Sequence, residues 1–258
     1  MTRLISGVAL AAAALAAILF LPVFALRVLV TAIAGLAADE YLRISGHRSA
    51  SAHWIVVALV MFTSWWIPAM RPLNVFGVVL VAVGWVAFQT LYADRTLENA
   101  ATDVVAPAYI GLPLGMLVAV QILAGWRATL LLIGTVAISD SAQYYTGRAF
   151  GRRPLAPIVS PKKTVEGAIG GAVVGTLLFS IVGIWWLPQL AAPFRAVLGL
   201  TIVALGIVGD LFESMLKRSA GVKDSSALIP GHGGVLDRID ALLFAAPVYY
   251  IVLRYVQP

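Results

Sequence analysis

Cysteine is absent from the 258-residue chain, so no disulfide or thiolate metal site can form, and any bound metal must take oxygen or imidazole ligands. Charge is scarce as well: Asp, Glu, Lys and Arg together make up 12% of residues, about half the usage of soluble globular domains. There is no polar linker long enough to separate a soluble domain, no low-complexity tail and no internal repeat. What fills the chain instead is oil, with 61% hydrophobic residues and a mean hydropathy of +0.94. An integral membrane protein is the consequence. In a soluble protein the net charge of +6 would suggest nucleic acid. Here it reads as membrane orientation and contact with anionic lipid, and no nucleic-acid partner is expected.

A hydrocarbon core about 30 Å thick needs about 20 apolar residues per helical crossing. The runs are continuous rather than alternating, which favours helices over a barrel. Apolar stretches between charged or Pro/Gly punctuation predict about nine transmembrane helices: Leu4 to Leu21, Val23 to Ala38, Trp54 to Met70, Leu73 to Tyr92, Val104 to Ala124, Thr129 to Tyr145, Val165 to Leu187, Arg195 to Phe212 and Ala241 to Tyr255. The first is read as an uncleaved span, because a second follows almost at once. The fold class is therefore all-α, a polytopic integral membrane helical bundle. One membrane domain, 1–258, is expected, with 1–103 as scaffold spans and 104–258 carrying the polar chemistry.

Nine crossings place the N-terminus and every even-numbered loop on one side. Of the 18 basic residues, all but Arg27, Arg71, Arg127, Arg195 and Arg254 then fall on that side. The positive-inside rule makes it the cytoplasm, with the C-terminus outside. The 12 acidic residues fall at the same side. Acids contribute little to insertion, so their placement has a separate cause.

Three polar clusters supply one. In "ISDSAQYYTGRAFGRR", Asp140 sits inside an apolar run, where an acid costs about 2.5 to 3.5 kcal/mol on insertion scales; either it serves a polar cavity or it is satisfied locally for packing. In "LAPIVSPKKTVEGAIGGAVVG", Ser160 and Pro161 suggest a turn, and Thr164 and Glu166 suit a helix start. Lys162 and Lys163 beside exposed helix amides suit either a phosphate or the lipid surface. Gly167, Gly171 and Gly175 recur every fourth residue, which lets helices approach closely.

The third cluster runs from "GDLFESMLKR" into "KRSAGVKDSSALIPGHGGVLDRID". Asp210, Ser214 and Lys217 share one helix stripe, with Glu213 and Arg218 beside them. Asp237 and Asp240, three apart, share another. Together with Asp210 they offer the hard oxygen ligands Mg2+ prefers, with positions left for phosphate and water. The "PGHGG" loop allows close backbone approach to an anion and is not a Walker A loop. His232 within it reads either as a loop hydrogen-bonder or as a phosphate donor.

The order Ser214, Lys217, Arg218, Lys223, Asp224, Pro230, His232, Gly233, Gly234, Asp237, Arg238, Asp240 resembles the signature of phosphatidate cytidylyltransferases, or CDP-diglyceride synthetases. The resemblance continues upstream through "SDSAQYYTGRAFGRRPLAPIVSPKKTVEGAIGG" and covers the C-terminal half. Gln143 and Ser226 depart from the family pattern without removing a charge. The resemblance implies transfer of cytidylyl from CTP to phosphatidic acid, giving CDP-diacylglycerol and pyrophosphate, by a homodimer in the cytoplasmic membrane among membrane lipids. It implies a divalent cation, and the oxygen chemistry of the clusters assigns this cofactor as Mg2+, compatible with a second cation, to Asp210, Asp237 and Asp240 with help from Asp140. Lys217, Arg218, Lys223, Asp224, His232 and Arg238 are the expected catalytic residues. Ser160, Lys162, Lys163, Thr164, Ser214, Gly233 and Gly234 are the expected substrate-binding ones. Two other readings remain: a cation-coupled secondary transporter of an anionic solute, and a cytidylyltransferase for another lipid phosphate.

Overall fold

The computed structural model describes residues 2–46, 50–69, 97–229, 231 and 233–256. The expected span Leu73 to Tyr92, together with Pro230 and His232, lies outside them. Eight α-helices carry the described chain: α1 (Thr2–Phe20), α2 (Val23–Ile44), α3 (Ala50–Trp66), α4 (Leu97–Ala106), α5 (Leu112–Phe150), α6 (Val165–Trp186), α7 (Ala192–Ser219) and α8 (Leu236–Val256). A π-helical turn, Pro107–Gly111, joins α4 to α5. Among the described residues, four stretches are long and apolar enough to cross a membrane: Ala101–Phe150, Val165–Trp186, Ala192–Ser219 and Leu236–Val256.

Local chemistry explains the breaks. Pro22, in extended conformation, ends α1 and opens α2, since proline cannot continue a helix. Gly125 has φ 75° and ψ −175°, a conformation open essentially to glycine alone, and it divides α5 into two arms. The arms run in opposite directions. Tyr109, just before the first arm, packs its ring 6.1 Å from Phe244 near the start of α8. Ala128, just after the bend, accepts a hydrogen bond from Tyr249 further along α8 at 3.1 Å. The two expected spans on either side of residue 125 are thus a helical hairpin with almost no loop.

The second arm packs on α6 through its glycines. A Cβ on Gly171 would meet the Gln143 side chain and the Ser139 carbonyl, and one on Gly175 would meet Val203 and Ser139. The four-residue glycine spacing therefore does the packing expected of it. The core is apolar and includes Leu132, Phe179, Ile202 and Tyr249, all essentially inaccessible; the Phe179 and Tyr249 rings meet edge to face at 5.9 Å.

Helix α7, with 28 residues, is about 42 Å long, more than a hydrocarbon core requires. Its surplus turns, like the end of α5 and the start of α8, carry charge to one end of the bundle. There the segment expected to be a turn forms a small antiparallel hairpin, β1 (Pro154–Ala156) with β2 (Ser160–Thr164), an addition to the all-α expectation. Trp126 and Trp186 mark the opposite end, with ring centroids 5.7 Å apart.

Candidate active site

The hairpin, the end of α5, the start of α6 and the middle of α7 enclose a cleft of about 370 Å3. Thr164 ends β2 in an extended conformation, and its Oγ1 accepts the Gly167 amide at 3.1 Å, so α6 is capped by the residue expected to cap it. Glu166 turns back to accept the Arg152 and Arg153 amides at 2.9 and 3.2 Å, which ties the approach to β1 onto the start of α6. The cap and this clasp hold Lys162 and Lys163 at the cleft wall, facing Asp140, Tyr144 and Arg148 of α5 and Asp210 of α7.

Opposite charges meet directly across the cleft: Lys163 pairs with Asp210, and the Ser214 hydroxyl approaches the other Asp210 oxygen at 3.4 Å. Asp140 accepts from the Gln143 amide at 2.9 Å. Asp140, Asp210 and Asp240 are close enough to repel one another, with Lys163 and Arg238 as the cations acting on Asp140. Two of the four expected metal ligands, Asp140 and Asp210, therefore line the cleft, and Asp240 lies within electrostatic range of both.

A second cluster lies deeper, on the α7–α8 side. Lys217 bridges Glu213, one turn earlier, and Asp237, whose Oδ1 is 2.5 Å from its Nζ. The other oxygen of Asp237 accepts the Ser225 amide at 2.9 Å, the Ser225 hydroxyl at 2.7 Å and the Gly234 amide at 2.8 Å. Sequence spacing groups Asp237 with the cation ligands; its hydrogen bonds also tie it to the loop before α8. Gly233, with φ 76°, passes so close that a Cβ there would sit 2.5 Å from Asp237 Oδ2.

The remaining expected residues are spread around these clusters. Arg218 approaches the Val159 carbonyl at 3.4 Å and the Val222 carbonyl at 3.2 Å, joining the end of α7 to the β-hairpin. Ser160 begins β2, half-buried, while Lys223, Asp224 and Arg238 are exposed.

Among the described residues no three acidic or histidine side chains form a ready cation cage. Mg2+ does not demand one, because it is commonly held by one or two carboxylates together with substrate phosphate oxygens and water. Asp140 and Asp210 at the cleft, with Asp240 behind them, fit that requirement, and their all-oxygen chemistry suits a hard cation.

Glu40 near the end of α2 was not foreseen. It is 3% exposed, and its two oxygens accept from the hydroxyls of Ser225 (3.0 Å) and Ser226 (2.7 Å) and the amides of Val235 (3.0 Å) and Leu236 (2.8 Å). The only sequence signal was the adjacent pair Asp39 and Glu40 ending an apolar run, which is ordinary at a helix end. Glu213, read merely as a neighbour of the charged stripe, is 1% exposed and a partner of Lys217.

Residues 1–256 match the family described as "Cytidylyltransferase family". Over 97% of its length the chain is 34% identical to a phosphatidate cytidylyltransferase of Pseudomonas aeruginosa, covering 96% of that protein. It is 44% identical over 138 residues to one from Thermotoga maritima, which is 52% of this chain and 51% of the relative. With one from Synechocystis it shares 48% over 134 residues, 50% of this chain and 44% of the relative. Against these last two the match spans about half of the relative's length. With a family match over nearly its whole length, the chain belongs to the cytidylyltransferase family.

Proposed function

We propose that the protein transfers cytidylyl from CTP to phosphatidic acid, releasing pyrophosphate and leaving CDP-diacylglycerol in the membrane. The observation that carries this reading is the cleft itself, where Lys162, Lys163 and Arg148 stand beside Asp140 and Asp210 at the charged end of a membrane bundle. A water-soluble nucleotide and a lipid phosphate can meet only at such a boundary. The relatives' shared name supports the choice of substrates.

In this mechanism a phosphatidate oxygen attacks the α-phosphorus of CTP as the bond to the pyrophosphate oxygen breaks in line. No protein nucleophile is required, because phosphoryl transfer is accelerated chiefly by positioning and by neutralising charge. Lys162, Lys163, Ser160 and Thr164 hold substrate phosphate on the hairpin side; Ser214 supports Asp210. Lys217, Arg218, Lys223 and Arg238 supply positive charge from the α7–α8 side, with Asp224 orienting them. Gly233, Gly234 and His232 are assigned to the substrate anion, Gly233 through its backbone amide and Gly234 through the close approach it allows, its own amide being donated to Asp237. Asp140, Asp210 and Asp240 would hold Mg2+, which neutralises phosphate charge when bound. About nine crossings, a cytoplasmic N-terminus and site, the inner membrane as location and a homodimer complete the proposal.

The test is purified protein in detergent with CTP, dioleoyl phosphatidate and Mg2+, followed by pyrophosphate release and lipid chromatography. CTP-dependent CDP-diacylglycerol is the expected product. Absence of both products from folded protein, or uptake of an anionic solute by vesicles without CTP turnover, would overturn it.

A further inference from the structure

We infer that Glu40, on a helix expected to be mere scaffold, is a positioning residue for the loop between α7 and α8. This rests on the proposed transfer for its catalytic consequence, though not for its geometry. Glu40 reaches across 185 to 196 positions of sequence to hold both ends of that loop at once. Its Oε2 binds the Ser225 hydroxyl and the Leu236 amide, and its Oε1 binds the Ser226 hydroxyl and the Val235 amide. The carboxylate thus caps α8 from another helix and pins the loop's first half to its last turn.

The chain of contacts continues to the charged groups. The Ser225 hydroxyl lies between the two carboxylates, 3.0 Å from Glu40 Oε2 and 2.7 Å from Asp237 Oδ2, and shares its one hydrogen between them; the Ser225 amide donates to Asp237, and Asp237 holds Lys217 against Glu213. Gly234 is required beside this junction, because a Cβ there would run into both Ser225 Oγ and Glu40 Oε2. Ser226, one of the two departures from the family pattern, is in this chain a direct donor to Glu40. Three donors belong to Glu40 alone, the Ser226 hydroxyl and the Val235 and Leu236 amides, and the Ser225 hydroxyl is shared with Asp237, so this one carboxylate fixes how the loop meets the start of α8.

Glutamine is nearly isosteric but retains a single acceptor oxygen, and its amide nitrogen would face donors on the other side. Glu40→Asp keeps both oxygens on a shorter stem. The experiment uses the full chain in detergent and compares wild type, Glu40→Gln, Glu40→Asp and Ser226→Ala. Peptide-resolved hydrogen exchange is read alongside kcat, KM and the stoichiometry of CTP binding.

For Glu40→Gln, exchange should rise at the amides of Ser225, Val235 and Leu236 while α6 and the body of α7 keep their protection. CTP-binding stoichiometry should stay at the wild-type level while kcat falls on the order of a hundredfold, the scale associated with about 1 Å of misplacement. Glu40→Asp should recover part of that loss, and Ser226→Ala should show a smaller change in the same direction. Exchange that is unchanged at those amides, or raised throughout the bundle with binding sites lost in proportion to kcat, overturns the inference. If wild type turns over no CTP, the proposed function fails, and the exchange pattern alone still decides the role of Glu40.

Discussion

The Lys217 ammonium lies 2.5 Å from Asp237 Oδ1, 20 residues further along the chain, and pairs at the same time with Glu213 on its own helix. One cation thus offsets two carboxylates in a region where Lys217 is 12%, Glu213 1% and Asp237 6% exposed at the side chain. Truncating one partner of a buried pair costs about 3 to 5 kcal/mol, because the other charge is left uncompensated. Lys217→Met should therefore lower the thermal midpoint in detergent sharply as well as abolish turnover. An unchanged midpoint would show that water already reaches the pair.

Asp140 and Asp237 should separate in a paired experiment. Asp140 opens to the cleft with one hydrogen bond from Gln143, so Asp140→Asn should remove activity and leave thermal unfolding near wild type. Asp237→Asn exchanges one acceptor oxygen for a donor among the Ser225 and Gly234 amides. Unsatisfied buried donors cost about 1 to 3 kcal/mol each. That variant should lose stability along with activity; equal melting of the two variants would contradict the division of roles.

Metal removal should silence the enzyme without unfolding it. The bundle is held by apolar packing and the Lys217 network, neither of which needs a metal ion. Dialysis against a chelator should abolish pyrophosphate release and leave circular dichroism unchanged, and added Mg2+ should restore the rate. Full activity in chelator would remove the carboxylates from a cation-binding role.

Two glycines provide a packing test. Gly171→Val places bulk against Gln143 and the Ser139 carbonyl, so a loss of about 1 to 3 kcal/mol is expected from overpacking α5 on α6. Gly134→Ala, in the same α5 arm but with nothing within 4 Å of the new Cβ, should be neutral or slightly stabilising. Thermal unfolding of both variants, read side by side, checks the pair.

Much was legible before any coordinates because its causes are local. Continuous apolar runs, the break at Pro22, the cap at Thr164 and the glycine spacing of α6 each depend on residues within a few turns, where propensity and insertion cost act directly. The site was less legible, as Asp237 illustrates. Its carboxylate chemistry and its nearness to Asp240 were plain in sequence, yet which of its lone pairs were already occupied depended on where Ser225, Gly234 and Lys217 came to rest.

By itself, then, the sequence determined a helical membrane protein with acids and bases gathered at one end, because hydrophobic length and charge placement are additive along the chain. Only the tertiary structure decided which charges meet. Gly125 folds α5 back on itself, Lys163 finds Asp210 across the cleft, and Glu40 crosses most of the chain to hold the loop before α8. Such pairings are set by how helices pack, and packing sums weak contacts between residues far apart in sequence, which no local pattern records.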